Sequence, residues 1–408
     1  MSASQRSASK LLWISFLLTG ALSTSCQFKK LGNSLEQLDE LSMIRIEIEE
    51  TTGSNQPILV ILAQAETGKR VNRSVIYGVG HVELYCEPGE YLVGALEDMN
   101  EDFAYQKGEP LQFFGDLEPV PVAAGETREI GLNLGRSATK LDPRTQALYK
   151  RRLLETPLMK VSTVVRYAKL DDAQFAYENT ELGGWEPAKF IERGYPGIYL
   201  LEKHDPERTP VLFVHGVYGT PRDFKTALDE LDRTRFQPWV YYYPSSLRLE
   251  QVGDHLLREM SLLVTELKSK KIILVCYSMG GLVGRNAVAK YTRAGLDYLR
   301  TFVTICSPLG GISSAAAGAN WAPVPMPCWY DLSPGSPFLN ELFTTPLPDG
   351  LPYHMVFGFA KGDGDGVVPM KSQLRDEALD QSVSRIGAAA THKGILDHPR
   401  LLRLLDSL

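Results

Sequence analysis

From Ser42 onward the chain runs in short stretches where apolar and polar residues alternate. They are Met43-Ile44-Arg45-Ile46-Glu47-Ile48, Pro57-Ile58-Leu59-Val60-Ile61-Leu62, His81-Val82-Glu83-Leu84-Tyr85 and Glu90-Tyr91-Leu92-Val93-Gly94-Ala95. Further strand-like stretches cover 120–123 and 129–134. A period of two, bounded by Gly and Pro, marks strands with one buried face. About seven strands are expected across 42–135, enough for a small β-sandwich. Residues 136–200 break this rhythm: 145–154 and 161–168 read as helical, and Leu182-Gly183-Gly184-Trp185-Glu186-Pro187 reads as a turn. Beyond residue 201 apolar runs alternate with amphipathic stretches in a βαβ order, which implies a parallel sheet covered by helices on both faces.

Composition changes the picture little within this frame. The chain has 408 residues, 44% hydrophobic and 23% charged, values that fit a globular protein of two or more units. Its net charge of -6 offers no broad basic surface, so no nucleic-acid partner is expected.

The N-terminus is more informative. Arg6 and Lys10 precede an apolar run at 11–22, then Ser23, Thr24 and Ser25 stand directly before Cys26. The run is shorter than the roughly 20 residues of a spanning helix, so it reads as an export signal over 1–26. The arrangement resembles a bacterial lipoprotein signal, although Leu22 stands one step further back than that pattern usually has it. The resemblance implies lipidation of Cys26, and Gln27 after the cysteine implies the outer membrane. Plain secretion with cleavage nearby is the alternative. Residues 27–41 are polar and expected to be a tether. The other cysteines, Cys86, Cys276, Cys306 and Cys328, show no dense framework and no paired CxxC spacing. They read as mostly buried thiols, with disulfide pairing left open, and no zinc site is expected.

Within the first module Asp98, Asn100, Asp102 and Glu109 fall at positions 1, 3, 5 and 12 of a calcium-loop spacing. Position 6 is Phe103 where a sharp turn needs Gly, and strands flank it, so a solvated acidic loop is the simpler reading. The module itself reads as a spacer or stabilising unit, with a carbohydrate- or surface-binding role as the alternative.

The chemistry sits in the second module. Lys271-Ile272-Ile273-Leu274-Val275 is a buried-strand run, 279–290 has helical composition, and Cys276-Tyr277-Ser278-Met279-Gly280 lies between them. A strand, a strained turn and a helix present a serine hydroxyl clear of the backbone, provided small residues stand two before and two after it. Cys276 takes the place of the first Gly. This segment is similar to the nucleophile elbow of the α/β-hydrolase superfamily, in particular its bacterial lipase and esterase branches, and the resemblance extends over about 210–408. Val211-Leu212-Phe213-Val214-His215-Gly216-Val217-Tyr218-Gly219 resembles the oxyanion loop of those lipases. It implies that the Val217 and Met279 N–H groups receive the developing oxyanion and that His215 orients the loop.

In this fold the chain order is serine, acid, histidine. Asp365 stands in an Asp-Gly-Val-Val-Pro context that matches the family's acid, with Asp363 as the alternative. His392 follows the last expected strand at 382–390 and is the expected base. His398 reads as a surface or capping residue, and His255 and His354 as packed or solvated ones. Residues 311–352, rich in Pro, Gly and aromatics, are too long for a crossover and read as a cap over the pocket.

Taken together the resemblance implies a lipid-anchored, exported serine hydrolase acting on carboxylic esters or lipid-like substrates by an acyl-enzyme route, with no cofactor or metal. An amidase, thioesterase or lipid deacylase would use the same triad, because the fold does not choose the leaving group. An inactive surface-binding relative is the remaining alternative.

Overall fold

The computed structural model describes residues 21–408 except 41, 54–55, 78, 101–104, 107, 137–164, 270, 294–295 and 361. The described chain forms two compact units, one comprising Glu36–Arg166 and the other Tyr167–Leu408 with the residues up to Leu35.

The first unit is a β-sandwich. Its strands are β1 (Ser42–Glu50), β2 (Pro57–Gln64), β3 (Arg70–Tyr77), β4 (Gly80–Cys86), β5 (Gly89–Glu97), β6 (Leu111–Phe113), β7 (Val120–Val122) and β8 (Thr127–Asn133). One sheet has the order β4-β1-β8; the other runs β3-β2-β5-β6, with β7 also paired to β5. Period-two alternation sends Ile44, Ile46 and Ile48 from one sheet, and Ile58, Val60 and Leu62 from the other, into a single core. Each such aliphatic side chain contributes about 1.5–3 kcal/mol on burial. Strands β3 and β6 add to those read from sequence. In the acidic turn Glu109 is engaged by the protein itself: its carboxylate accepts the N–H groups of Met99 at 2.9 Å and Gln106 at 2.6 Å. Asp102 lies outside the described residues.

The segment expected to be a tether is helical over 27–40, which forms most of α1 (Ala21–Glu40). Phe28, Leu31 and Ser34, spaced three apart, are its buried positions, and the Ser34 hydroxyl accepts the Ala188 N–H at 2.9 Å. Of the expected helix at 161–168, residues 161–164 lie outside the described set and Arg166–Tyr167 form strand β9; 145–154 also lies outside. The expected turn at 182–187 is helix α2 (Thr180–Trp185), followed by α3 (Pro187–Glu192) with its proline in the first helical turn, where a missing N–H costs nothing.

The second unit is built on an eight-stranded sheet. With β10 (Gly197–Leu200), β11 (Thr209–Val214), β12 (Phe236–Tyr242), β13 (Ile272–Tyr277), β14 (Leu299–Ile305), β15 (Tyr353–Gly358) and β16 (Ser384–Ala388), the order is β16-β15-β14-β13-β11-β12-β10-β9. Strands β11 to β16 pair in parallel and β10 runs antiparallel to β12. Helices α4 (Lys225–Asp229), α5 (Leu249–Glu266) and α6 (Gly280–Arg293) connect the central strands. Every residue of β12 and β13 is buried, which is why β13 reads as an unbroken apolar run. From β11 the chain goes to β12 on one side and then returns to β13 on the other. The crevice beyond the carboxyl ends of β11 and β13 is therefore a topological switch point, where open α/β sheets hold their ligands.

Between β14 and β15 the segment expected to form a cap folds into helices α7 (Ser313–Trp321), α8 (Pro327–Leu332) and α9 (Pro337–Glu341). Asp331 fastens it. This buried carboxylate accepts two guanidinium N–H groups of Arg248, at 3.0 and 2.7 Å, and the N–H of Leu249 at the start of α5 at 2.7 Å. The chain ends with α10 (Met370–Gln373), α11 (Asp376–Gln381) and α12 (Pro399–Ser407).

Candidate active site

Strand β13 ends at Tyr277 and α6 starts at Gly280, leaving Ser278 in a two-residue turn with φ of +54°. A left-handed conformation at a residue with a Cβ costs of order 1–3 kcal/mol and persists only where neighbours over-determine it. Here the Ser278 N–H is held by the Ile305 carbonyl at 2.7 Å, and the helix follows at once. Strand and helix come so close that a Cβ on Gly280 would lie 2.5 Å from the carbonyl oxygens of Val214 and His215. The departure at Cys276 has its own accommodation one helical turn on. Its thiol fills the space opposite Gly284, where any Cβ would run into the sulfur.

The three residues expected to act together do meet. The Ser278 hydroxyl lies 2.9 Å from His392 Nε2, and His392 Nδ1 lies 2.7 Å from Asp365 Oδ2. The second carboxylate oxygen, Oδ1, accepts the N–H groups of Val367 at 2.8 Å and Val368 at 2.7 Å. That arrangement explains the Asp-Gly-Val-Val-Pro context: the turn folds its own N–H groups back onto the acid. Burial pushes the Asp365 carboxyl up, but the His392 contact and the two N–H groups outweigh it, and the net pKa lies below the ordinary carboxylate value. Asp363 contributes its carbonyl to the Met370 N–H instead.

The β11 loop closes the other side. A Cβ on Gly216 would lie 2.8 Å from Ser278 Cβ, so this loop abuts the serine directly. Tyr218 N–H donates to Ser245 Oγ and Gly219 N–H to the Gly216 carbonyl. Among the described residues the N–H groups of Val217 and Met279 have no such partner. Two unspent backbone donors beside a serine can receive a developing oxyanion. His215 is fully buried: Nδ1 donates to the Gly216 carbonyl at 2.8 Å, Nε2 accepts the Tyr243 N–H at 3.3 Å, and the rings of His215 and Tyr243 stack at 4.2 Å. Burial lowers its pKa to about 4, against the pull of that carbonyl. A neutral histidine with both nitrogens occupied orients the loop and cannot serve as the base.

Other histidines are spent elsewhere. His398 caps α12, its Nδ1 accepting the Arg400 N–H at 3.1 Å, while His255 bonds to the Tyr241 hydroxyl and His354 to the Ser384 hydroxyl.

Three supporting residues escaped the sequence reading. Tyr277 donates its hydroxyl to the His392 carbonyl at 3.0 Å and packs its ring 5.1 Å from the imidazole. Buried Gln373 spans the acid loop, donating to the Gly358 and Val368 carbonyls and accepting the Gly358 N–H. Cys306, at the end of β14 with φ of +48°, puts its sulfur within 4.8 Å of both Asp365 and His392 ligand atoms. Tyr277 adjoins the serine in sequence and was within reach; Gln373 and Cys306 carry no local signal. All five cysteines are free thiols: Cys26 is exposed, the other four buried.

Residues 211–403 match the alpha/beta hydrolase family. No curated protein sequence matches the chain. Among solved structures the chain is similar to a Bacillus licheniformis lipase in its mature form, at 19% identity and a TM-score of 0.42, covering 50% of this chain and 95% of that one. Aspergillus fumigatus lipase B aligns at 16% identity and a TM-score of 0.38, covering 49% and 52%. A thioesterase domain from the curacin biosynthetic pathway aligns at 13% identity and a TM-score of 0.36, covering 50% and 92%.

Proposed function

We propose, from the premise that this chain is a member of the α/β-hydrolase superfamily, that it is a serine hydrolase cleaving carboxylic esters through an acyl-enzyme. The observation that carries the reading is the relay from Ser278 Oγ through His392 to Asp365, at 2.9 and 2.7 Å, beside two unspent N–H groups.

In this reading Ser278 Oγ attacks the ester carbonyl carbon while His392 Nε2 takes the hydroxyl proton. A serine hydroxyl is a weak nucleophile without such a base. Asp365, engaged with Nδ1–H, fixes the tautomer and stabilises the imidazolium that forms. The carbonyl oxygen, now negative, is received by the N–H groups of Val217 and Met279. Collapse of the tetrahedral intermediate expels the alcohol, which takes the proton from His392. Water then attacks the acyl-enzyme, again giving its proton to His392, and collapse releases the acid and returns the proton to Ser278.

The same reading extends to location: an exported protein held at the bacterial outer membrane by a lipid on Cys26. The exposure of Cys26, free on α1, supports it. No helix among the described residues is long and apolar enough to cross a membrane, and the apolar run at 11–22 lies mostly outside them.

Turnover of matched p-nitrophenyl esters, thioesters and anilides by the purified protein tests the function. Esters should be cleaved fastest, with a chain-length profile set by the capped pocket. Faster anilide or thioester cleavage would move the assignment to an amidase or a thioesterase.

A further inference from the structure

We infer that α1, the helix carrying Cys26, is a positioning element of the catalytic centre: through Phe28, Trp185 and Tyr218 it holds the loop that presents the Val217 N–H. The inference rests on the proposed role of that N–H as an oxyanion donor.

The starting point is the strain at Tyr218. It directly follows Val217 and has φ of +51°, a left-handed conformation that costs a bulky residue of order 1–3 kcal/mol and has to be imposed by its surroundings. Three contacts impose it. The Tyr218 N–H donates to Ser245 Oγ at 3.0 Å, and its hydroxyl meets the Met326 sulfur, on the cap, at 3.5 Å. On the remaining side the ring is pressed against the backbone of Gly184, where any Cβ would overlap it. Next to that glycine, the Trp185 indole lies 6.1 Å from the Tyr218 ring, centroid to centroid.

Trp185 ends α2 and packs between Tyr218 and α1. Its cover is α1. The Phe28 ring meets the indole edge-on at 5.5 Å and is itself buried. Polar contacts pin the helix on the residues that follow Trp185: Lys30 Nζ lies 3.2 Å from Glu186, and Ser34 Oγ accepts the Ala188 N–H. Leu31, fully buried, completes the seat. So α1 closes on the junction between α2 and α3, the indole transmits that closure to Tyr218, and Tyr218 fixes the peptide bearing the oxyanion donor. Phe28, Trp185 and Tyr218 are positioning residues that act through Val217.

An oxyanion donor works only where it is preset, and a displacement of about 1 Å can cost about 100-fold in rate. Two variants of the full chain, Phe28→Ala and Trp185→Ala, test the chain of contacts, with Trp185→Phe as the conservative rescue. For folded Phe28→Ala and Trp185→Ala we expect kcat on a short ester to fall about 10-fold or more while KM stays within about twofold, the pattern of a contact made only in the transition state. The affinity of a trifluoromethyl ketone, which forms an anionic adduct with the serine, should fall by the same factor as kcat/KM. Trp185→Phe should recover most of the loss. Should Trp185→Ala fail to fold, Phe28→Ala alone decides. A folded Phe28→Ala whose kcat and ketone affinity stay within about twofold of wild type overturns the inference, as does a rise in KM at unchanged kcat. If Ser278→Ala retains wild-type turnover, the proposed function itself falls. If Ser278→Ala is inactive and Phe28→Ala unchanged, only this inference does.

Discussion

The pairing of Cys276 with Gly284 makes a sharp energetic prediction, because the residue that departs from the elbow pattern is matched by a glycine eight residues on. Gly284→Ala places a Cβ against the Cys276 sulfur, in a site where Cys276 is fully buried, and 3.2 Å from Phe302 Cε2. A cysteine has one side-chain torsion, so the sulfur has little freedom to give way. Overpacking of this kind costs about 1–3 kcal/mol, partly offset by the gain of up to about 1 kcal/mol for Ala over Gly inside a helix. The single variant should therefore lose up to about 2 kcal/mol. Cys276→Gly alone should also destabilise, by about 1–2 kcal/mol, through the lost buried thiol and the freer backbone in β13. Made together, the two changes exchange the positions of the small and the larger group. Gly284→Ala in the Cys276→Gly background should then be neutral or stabilising, giving a coupling of about 1–3 kcal/mol of compensating sign. Urea unfolding of the four proteins measures it, and ester turnover of the double variant should stay within a few-fold of wild type. Losses that simply add, to within about 0.5 kcal/mol, would refute the idea that Gly284 exists to receive Cys276.

Other expectations follow from the same geometry. His215, whose pKa burial holds at about 4, stays neutral in the folded protein while the unfolded chain protonates near 6.5. Its contribution to stability is thus complete above about pH 6.5 and is lost as pH falls toward 4, by about 3 kcal/mol in all. Unfolding midpoints of His215→Asn should show a shallower loss over that window; an identical slope would count against a neutral His215. Asp365→Asn should leave the fold intact, since an amide oxygen can still accept from Val367 and Val368, yet lower kcat by about 10⁴, as expected when the base loses its tautomer control. Asp331→Ala removes the acceptor for Leu249 N–H and Arg248; with Arg248 half-exposed, most of the expected 1–3 kcal/mol, roughly, comes from the helix start. Hydrogen exchange should rise across α7 to α9, and unchanged protection there would sink the view that Asp331 fastens the cap.

The proposed reacting groups were legible in local sequence because each brings its own chemistry with it. The turn around Asp365 supplies the N–H groups that hold the acid, the elbow around Ser278 combines strand, small residues and helix within a dozen positions, and His392 follows the last strand directly. The sandwich strands were legible for the same reason, their alternation being a local property. Helix α1 was not, since its buried positions Phe28 and Ser34 find their partners about 155 residues away at Trp185 and Ala188, and a polar segment without them reads as a tether. The helix at 180–185 hid behind Gly183-Gly184. Those glycines read as a turn, but Gly184 lets the Tyr218 ring approach the helix closely. Cys306 reaches Asp365 only because β14 and β15 lie side by side, a relation no local pattern contains.

Covalent capture of the proposed nucleophile tests the role of Ser278 directly. The purified protein would be reacted with a fluorophosphonate and digested, and the adduct located by mass spectrometry, alongside Ser278→Ala and His392→Ala. One adduct is expected, on Ser278, formed rapidly in the wild type, slowed by orders of magnitude in His392→Ala and absent in Ser278→Ala. An adduct on another residue, or labelling of Ser278→Ala at the wild-type rate, would contradict it.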